Sequence, residues 1–316
     1  MKIALDAMGG DHAPEQPVLG AVESLRFLSA DDQIVLVGRE AELRKHLSAF
    51  REVDERIMFV DAPEVIGMDE APTVAFSRKR RASIPVGYQL LKQGEADAFV
   101  GAGNTGAMLV GAVYSLNTIQ GIIRPCIPVM IPRSSCGNTL ILDVGTNPDA
   151  RPDVLYQYGL IGSIYARFMM GIENPRVALL NIGEEEEKGS LLAQAAYRAM
   201  KGTSDFNFIG NIESRDLFRD VTDVVVTDGF TGNVVVKQIE GFYDLLKDHG
   251  VTDSFFDRYN YENHGGTPIL GVNGISMIAH GISSSSAIST MIQEAKKIFN
   301  TGLVRELQRS LKRFTE

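Results

Sequence analysis

The chain has 316 residues, 44% hydrophobic and 22% charged, with a net charge of −9. These values suit a globular protein with a sizeable core, and the acidic balance argues against a whole-domain basic footprint for nucleic acid. The two cysteines, Cys126 and Cys136, lack metal or redox spacing, and none of the five histidines has metal-ligand spacing. No metal is therefore expected, in a reduced cytoplasmic protein; no cofactor is expected either.

In chain order, the first strand is expected at Lys2–Asp6, where Asp6 breaks the apolar run too early for a secretory signal. A helix follows over Glu15–Leu28, with Val18, Val22, Leu25 and Leu28 on one face. Strands are read at Ile34–Val37, Ile57–Val60 and Ala98–Val100. From Ala98 to Ile123 no residue is charged, a length able to span a bilayer. Gly101, Gly103, Asn104, Thr105, Gly106 and Asn117 interrupt it, so it reads as a buried strand, a loop and a buried helix. Further strands are expected at Val129–Ile131, Thr139–Asp143, Arg176–Asn181, Asn207–Ile209 and Asp223–Val226, with a helix at Leu191–Met200. Near the C-terminus, Ile288, Met291, Ile292, Ala295 and Phe299 mark a packed helix, followed by a solvated tail. This alternation predicts an α/β protein, a three-layer α/β/α arrangement around a largely parallel sheet. One domain over 1–316 is expected, with any lobe boundary near Asp143–Asp153, where Gly, Pro and Asn cluster.

Five apolar runs end alike: LDAMGGD, VGAGNTG, LDVGTN, LNIGEE and VTDGFTGN. In an open parallel sheet the carboxyl ends of the strands line the ligand crevice, and glycine lets backbone approach a ligand closely. Any one of these could be an ordinary strand-to-helix turn with a helix cap, but five with the same polar set point to a site. In the last run, Thr231 is expected to cap a helix over Gly232–Leu246, with Asp228–Phe230 forming the turn, so that free backbone N–H groups face an anion. Asn233 could donate its side-chain amide to an oxyanion.

Phosphate is the natural anion, yet no Gly-Lys pair exists to make a Walker loop. Gly101, Gly103 and Gly106 satisfy the dinucleotide pattern, but no Asp or Glu occurs from Ala98 to Leu142 to hold a ribose hydroxyl. Arg133 could suit a ribose phosphate instead, which keeps an NAD(P)-dependent dehydrogenase open.

At DAMGGDHAP (Asp6–Pro14), GAGNTGA, LDVGTN and DVVVTDGFTGN (Asp223–Asn233), with GNIESRD and AHG in support, the sequence resembles the bacterial phosphate acyltransferase family over essentially its whole length. The resemblance implies a fold like that of isocitrate dehydrogenase and phosphotransacetylase. It implies transfer of a fatty acyl group from acyl carrier protein to inorganic phosphate, for phospholipid synthesis. It further implies a cytoplasmic homodimer, and delivery of acyl phosphate to a membrane glycerol-3-phosphate acyltransferase. The family usually carries a longer helical hairpin between Glu240 and Gly265 than this chain does, which bears on peripheral membrane contact.

No Gly-x-Ser-x-Gly elbow is present. Direct attack of phosphate on a thioester needs none, because the leaving thiol is a good leaving group and the demands are positioning and oxyanion stabilisation. Lys188 and Asn233 are the candidate catalytic residues. Asp6, Gly9, Gly10, Asp11, Asn104, Thr105, Asp143, Asn147, Asp228, Thr231, Gly232 and His280 are candidates for phosphate or substrate binding. Arg78, Lys79 and Arg80 form a cationic run suited to docking acidic acyl carrier protein. A non-catalytic module binding acyl carrier protein is a further alternative.

Overall fold

The computed structural model describes residues 1–48, 50 and 54–315. The chain divides into two compact units, residues 1–117 with 261–304, and residues 118–260 with 305–316. The first unit begins β1 (Lys2–Asp6), α1 (Glu15–Ser24), β2 (Gln33–Gly38), α2 (Glu40–Leu47), β3 (Ile57–Asp61), α3 (Pro72–Arg78), α4 (Ser83–Gln93), β4 (Ala98–Gly101) and α5 (Thr105–Leu116). The second contains β5 (Val129–Pro132), β6 (Asn138–Leu142), α6 (Pro152–Met170), β7 (Arg176–Leu180), α7 (Leu191–Met200), β8 (Asn207–Ile212), β9 (Val224–Val226) and α8 (Gly229–Asp248). The chain then returns to the first unit with β10 (Thr267–Pro268), β11 (Ile275–Ile278) and α9 (Ser285–Thr301), and ends in α10 (Leu303–Leu311).

The first unit's sheet runs β10-β11-β4-β1-β2-β3, and the second unit's runs β5-β6-β9-β7-β8. Among the described residues, only β10 with β11 and β5 with β6 pair antiparallel. The expected α/β class with largely parallel strands is thus present, distributed over two sheets rather than one. Strands buried on both faces read as unbroken aliphatic runs. Val224, Val225 and Val226 are each fully buried, and each such side chain contributes roughly 1.5–3 kcal/mol. In the second unit Val225 packs with Ile141, Ala178, Ile212 and Val236 in one cluster.

Several boundaries differ from the sequence reading. Asp143–Asp153 lies inside the second unit, because β6 pairs with β9 far along the chain. The helix from Glu15 stops at Ser24 and tightens into a 3-10 turn over Leu25–Phe27. β10 and β11 were not expected; β11 is only four residues and contains the polar Ser276. The expected solvated tail is α10, which buries Leu303, Leu307 and Leu311. Arg133 faces no ribose phosphate. Its guanidinium is buried and donates to Thr139, Asp220, Asp223 and the Thr222 carbonyl. Among the described residues, no helix is long and apolar enough to cross a membrane.

Candidate active site

All five glycine-rich runs emerge at carboxyl ends of parallel strands. Three follow the adjacent strands β6, β9 and β7 of the second unit, and two follow the adjacent β1 and β4 of the first.

In the second unit, the loop after β6 and the start of α8 are bolted together. Gly145 N–H donates to the Gly229 carbonyl, and Gly229 N–H to the Asn147 carbonyl, each at 2.9 Å. A Cβ on Gly232 would lie 2.0 Å from the Asp143 carbonyl oxygen, so only glycine fits there. Asp143 is fully buried, and its carboxylate accepts from the Ile127 amide and from both the backbone and side-chain amides of Asn147. Burial raises its acidity midpoint, and those donors oppose the rise. Asp143 and Asn147 therefore tie the strand end together.

The start of α8 departs from expectation. Asp228, not Thr231, is the N-cap, and the helix begins at Gly229. The Asp228 carboxylate accepts from both the backbone N–H and the hydroxyl of Thr231 at 2.8 Å. Two consequences follow. Thr231 spends its hydroxyl proton on Asp228 and is left as an acceptor. The positive helix end is already met by the protein's own carboxylate, so most of the N–H groups expected to be free are taken.

What remains available is Asn233 and Lys188. Asn233 is exposed at the beginning of the second turn of α8, and its carboxamide oxygen stands 3.4 Å from where a Cβ on Gly145 would be. Gly145 has φ +82°, so this turn favours glycine and leaves open backbone beneath the amide. Lys188 is exposed after β7, and among the described residues it makes no ion pair. Of the acidic run beside it, Glu186 is taken by Lys201. The Asn181 side chain donates to the Lys188 carbonyl, and Asn211 donates to the Glu185 carbonyl, which fixes the loop. Sequence reading missed Asn181 and Asn211; the partner of Asn181 lies across the loop, and Asn211 reaches the loop from β8.

In the first unit, β1 and β4 flank the point where strand order reverses. There Gly9, Gly101 and Gly103 crowd around Asp6. A Cβ on Gly9 would fall 2.2 Å from Asp6 Oδ2, and one on Gly103 2.7 Å from it. Asp6 is buried; Oδ1 accepts from the Met8 amide, while Oδ2 accepts no hydrogen bond. Burial pushes its midpoint up to about 6, against the opposing pull of Ser83 and the Met8 and Gly9 amides. Asn104 caps α5 through the Ala107 amide and clamps the carbonyls of Gly67, Met68 and Glu70. Its expected role in holding substrate is thereby replaced by holding the chain after β3. A Cβ on Gly106 would strike Pro72 at 2.4 Å. Gly101, Gly103 and Gly106 are thus each accounted for by packing, which removes the support for dinucleotide binding. Gly10, with φ +103°, abuts the Gly281 carbonyl, to which Asp11 N–H donates at 2.7 Å. The Asp11, Thr105 and His280 side chains are exposed at this edge. Of the cationic run, Arg78 and Arg80 are exposed, whereas Lys79 is spent on Glu70 and the Val65 carbonyl.

The fold matches solved phosphotransacetylases. One from Streptococcus pyogenes has a TM-score of 0.62 at 16% identity, over 99% of this chain and 94% of its own. The EutD phosphotransacetylase from Staphylococcus aureus has a TM-score of 0.62 at 14% identity, over 94% of each chain. This places the chain in the three-layer α/β/α fold. Residues 1–306 match the family model described as fatty acid synthesis protein. A phosphate acyltransferase of Desulfitobacterium hafniense (strain DSM 10664 / DCB-2) is 43% identical over 100% of this chain and 99% of its own length. One of Syntrophomonas wolfei is 41% identical over the full length of both. The protein is an acyltransferase of lipid biosynthesis. More particularly, the chain belongs to the bacterial phosphate acyltransferase family.

Proposed function

We propose that the chain transfers a fatty acyl group from acyl carrier protein to inorganic phosphate, releasing acyl phosphate for phospholipid synthesis. The observation that carries this reading is the pair Lys188 and Asn233. They are exposed donors, Lys188 on the loop after β7 and Asn233 near the start of the helix that follows the adjacent β9, in a chain similar throughout to phosphate acyltransferases. Phosphate attacks the thioester carbonyl carbon, the new C–O bond gives a tetrahedral oxyanion, and its collapse breaks the C–S bond and releases the thiolate. Lys188 offsets charge on phosphate or the tetrahedral oxyanion, and Asn233 donates to that oxyanion. Arg78 and Arg80 attract the acidic carrier, with Arg81 exposed beside them. The product passes to a membrane glycerol-3-phosphate acyltransferase, and the exposed Phe242 and Leu245 on α8 favour peripheral membrane contact by a cytoplasmic homodimer.

The test is direct. Incubation with acyl carrier protein thioester and labelled phosphate yields acyl phosphate and free thiol in equal amounts. Failure to form acyl phosphate, or an acylated side chain trapped during turnover, overturns the reading. Charge reversal of Arg78 and Arg80 raises KM for the carrier in a salt-sensitive manner and leaves phosphate dependence unchanged.

A further inference from the structure

We propose that the second unit carries a second ligand site, at the edge of its sheet opposite Lys188 and Asn233, for a small zwitterion bearing an oxyanion and an ammonium group. α6 ends at Met170, and β7 and β8 begin at Arg176 and Asn207, so these termini share the amino edge of the sheet. A groove opens there with lobes of about 520 and 330 Å³, the size range of small-molecule sites. Ser163, Arg167 and Asp205 line both lobes, and Glu306, Arg309 and Ser310 of α10 complete the larger one.

Ser163 is 7% exposed, yet its hydroxyl makes no hydrogen bond within the described protein and lines the groove. One turn further along α6, Arg167 is exposed and makes no ion pair among the described residues. A hydroxyl and a guanidinium on one helix face are preset donors for an oxyanion. The remaining lining narrows the ligand. Asp205 accepts from the Tyr156 hydroxyl at 2.6 Å, Glu306 lies 4.0 Å from Arg309, and Glu173 borders the smaller lobe. A simple anion meets these carboxylates, and a simple cation meets the two arginines. A molecule carrying both signs satisfies both sets, and Leu160 and Ile164 accept a short methylene spacer.

O-phosphoethanolamine is the probe, titrated calorimetrically into the full-length protein, with inorganic phosphate and ethanolamine as separate arms. The expected result is saturable binding that Arg167→Gln weakens by about tenfold or more, or ~1.4 kcal/mol. Ser163→Ala weakens it less, Lys188→Ala leaves it unchanged, and all three variants keep the parent melting temperature. Each single-charge arm binds at least about tenfold more weakly in its Arg167-dependent component. The proposal is overturned by any of three results: no saturable binding, binding indifferent to Arg167→Gln, or Arg167-dependent phosphate binding as tight as that of the zwitterion.

Discussion

At the carboxyl edge of the first unit, Asp11, Thr105 and His280 are exposed, but several polar side chains turn toward the protein itself. Asn104 spends its amide on three carbonyls of one loop, Lys79 is locked to Glu70, and Asp6 is sealed among glycines. At the corresponding edge of the second unit, glycines also serve close packing, but Lys188 and Asn233 remain exposed above the turns that hold them. Similar strings of Gly, Asp, Asn and Thr therefore serve two ends: one mainly an interlock, the other a rigid base for uncommitted donors. Glycine reports where two backbones approach; only the side chains left over report chemistry.

The sharpest way to break this contrast is at Asn233. Asn233→Ala and Lys188→Ala should each lower phosphate acyl transfer by a hundredfold or more, about 2.7–4 kcal/mol of transition-state stabilisation. Melting temperature should be unchanged, since both side chains are exposed. Turnover near the parent rate in both variants removes the assignment.

Asp6 gives the next largest effect, in stability rather than rate. Raising its midpoint from 3.8 to about 6 means the folded chain keeps a proton that the unfolded chain has released. Stability should therefore fall as pH rises through that window, and the penalty, up to roughly 3 kcal/mol, persists above it. Asp6→Asn should be more stable than the parent above the folded midpoint and equal to it below the unfolded one. Denaturation across the window checks this, and a variant less stable at high pH contradicts it.

The smallest effect is expected at Asn104. Asn104→Ala should cost about 1–2 kcal/mol through loss of a helix cap and of the loop clamp. The loss should appear in denaturant midpoint, with KM for phosphate unchanged. A raised KM at full stability would return Asn104 to substrate binding.

Strands were legible in the sequence because parallel strands buried on both faces are unbroken aliphatic runs; Val224–Val226 could hardly be anything else. The glycine-rich turns were legible for the same reason, as they end those runs. What could not be read were partnerships across the chain. Asp228 and Thr231 are both good capping residues, and only the fold shows that one caps while the other donates to it. Lys79 sits in a cationic run, and nothing local says that Glu70 and Val65 have claimed it. β11 was hidden by its brevity and by Ser276, whose hydroxyl is satisfied by Tyr88.

The first unit is written in two pieces. β11 aligns beside β4, with Ile275 opposite Ala98, and the whole of residues 118–260 is synthesised between them. During translation the early strands must wait with β4 uncovered until the later piece emerges, while the intervening segment can already collapse. Such long-range closure is slow and leaves an apolar strand edge open to strangers. Nascent-chain maturation of this protein should therefore be limited by the arrival of residues 261–304, and truncation before them should produce aggregation rather than a smaller soluble fold.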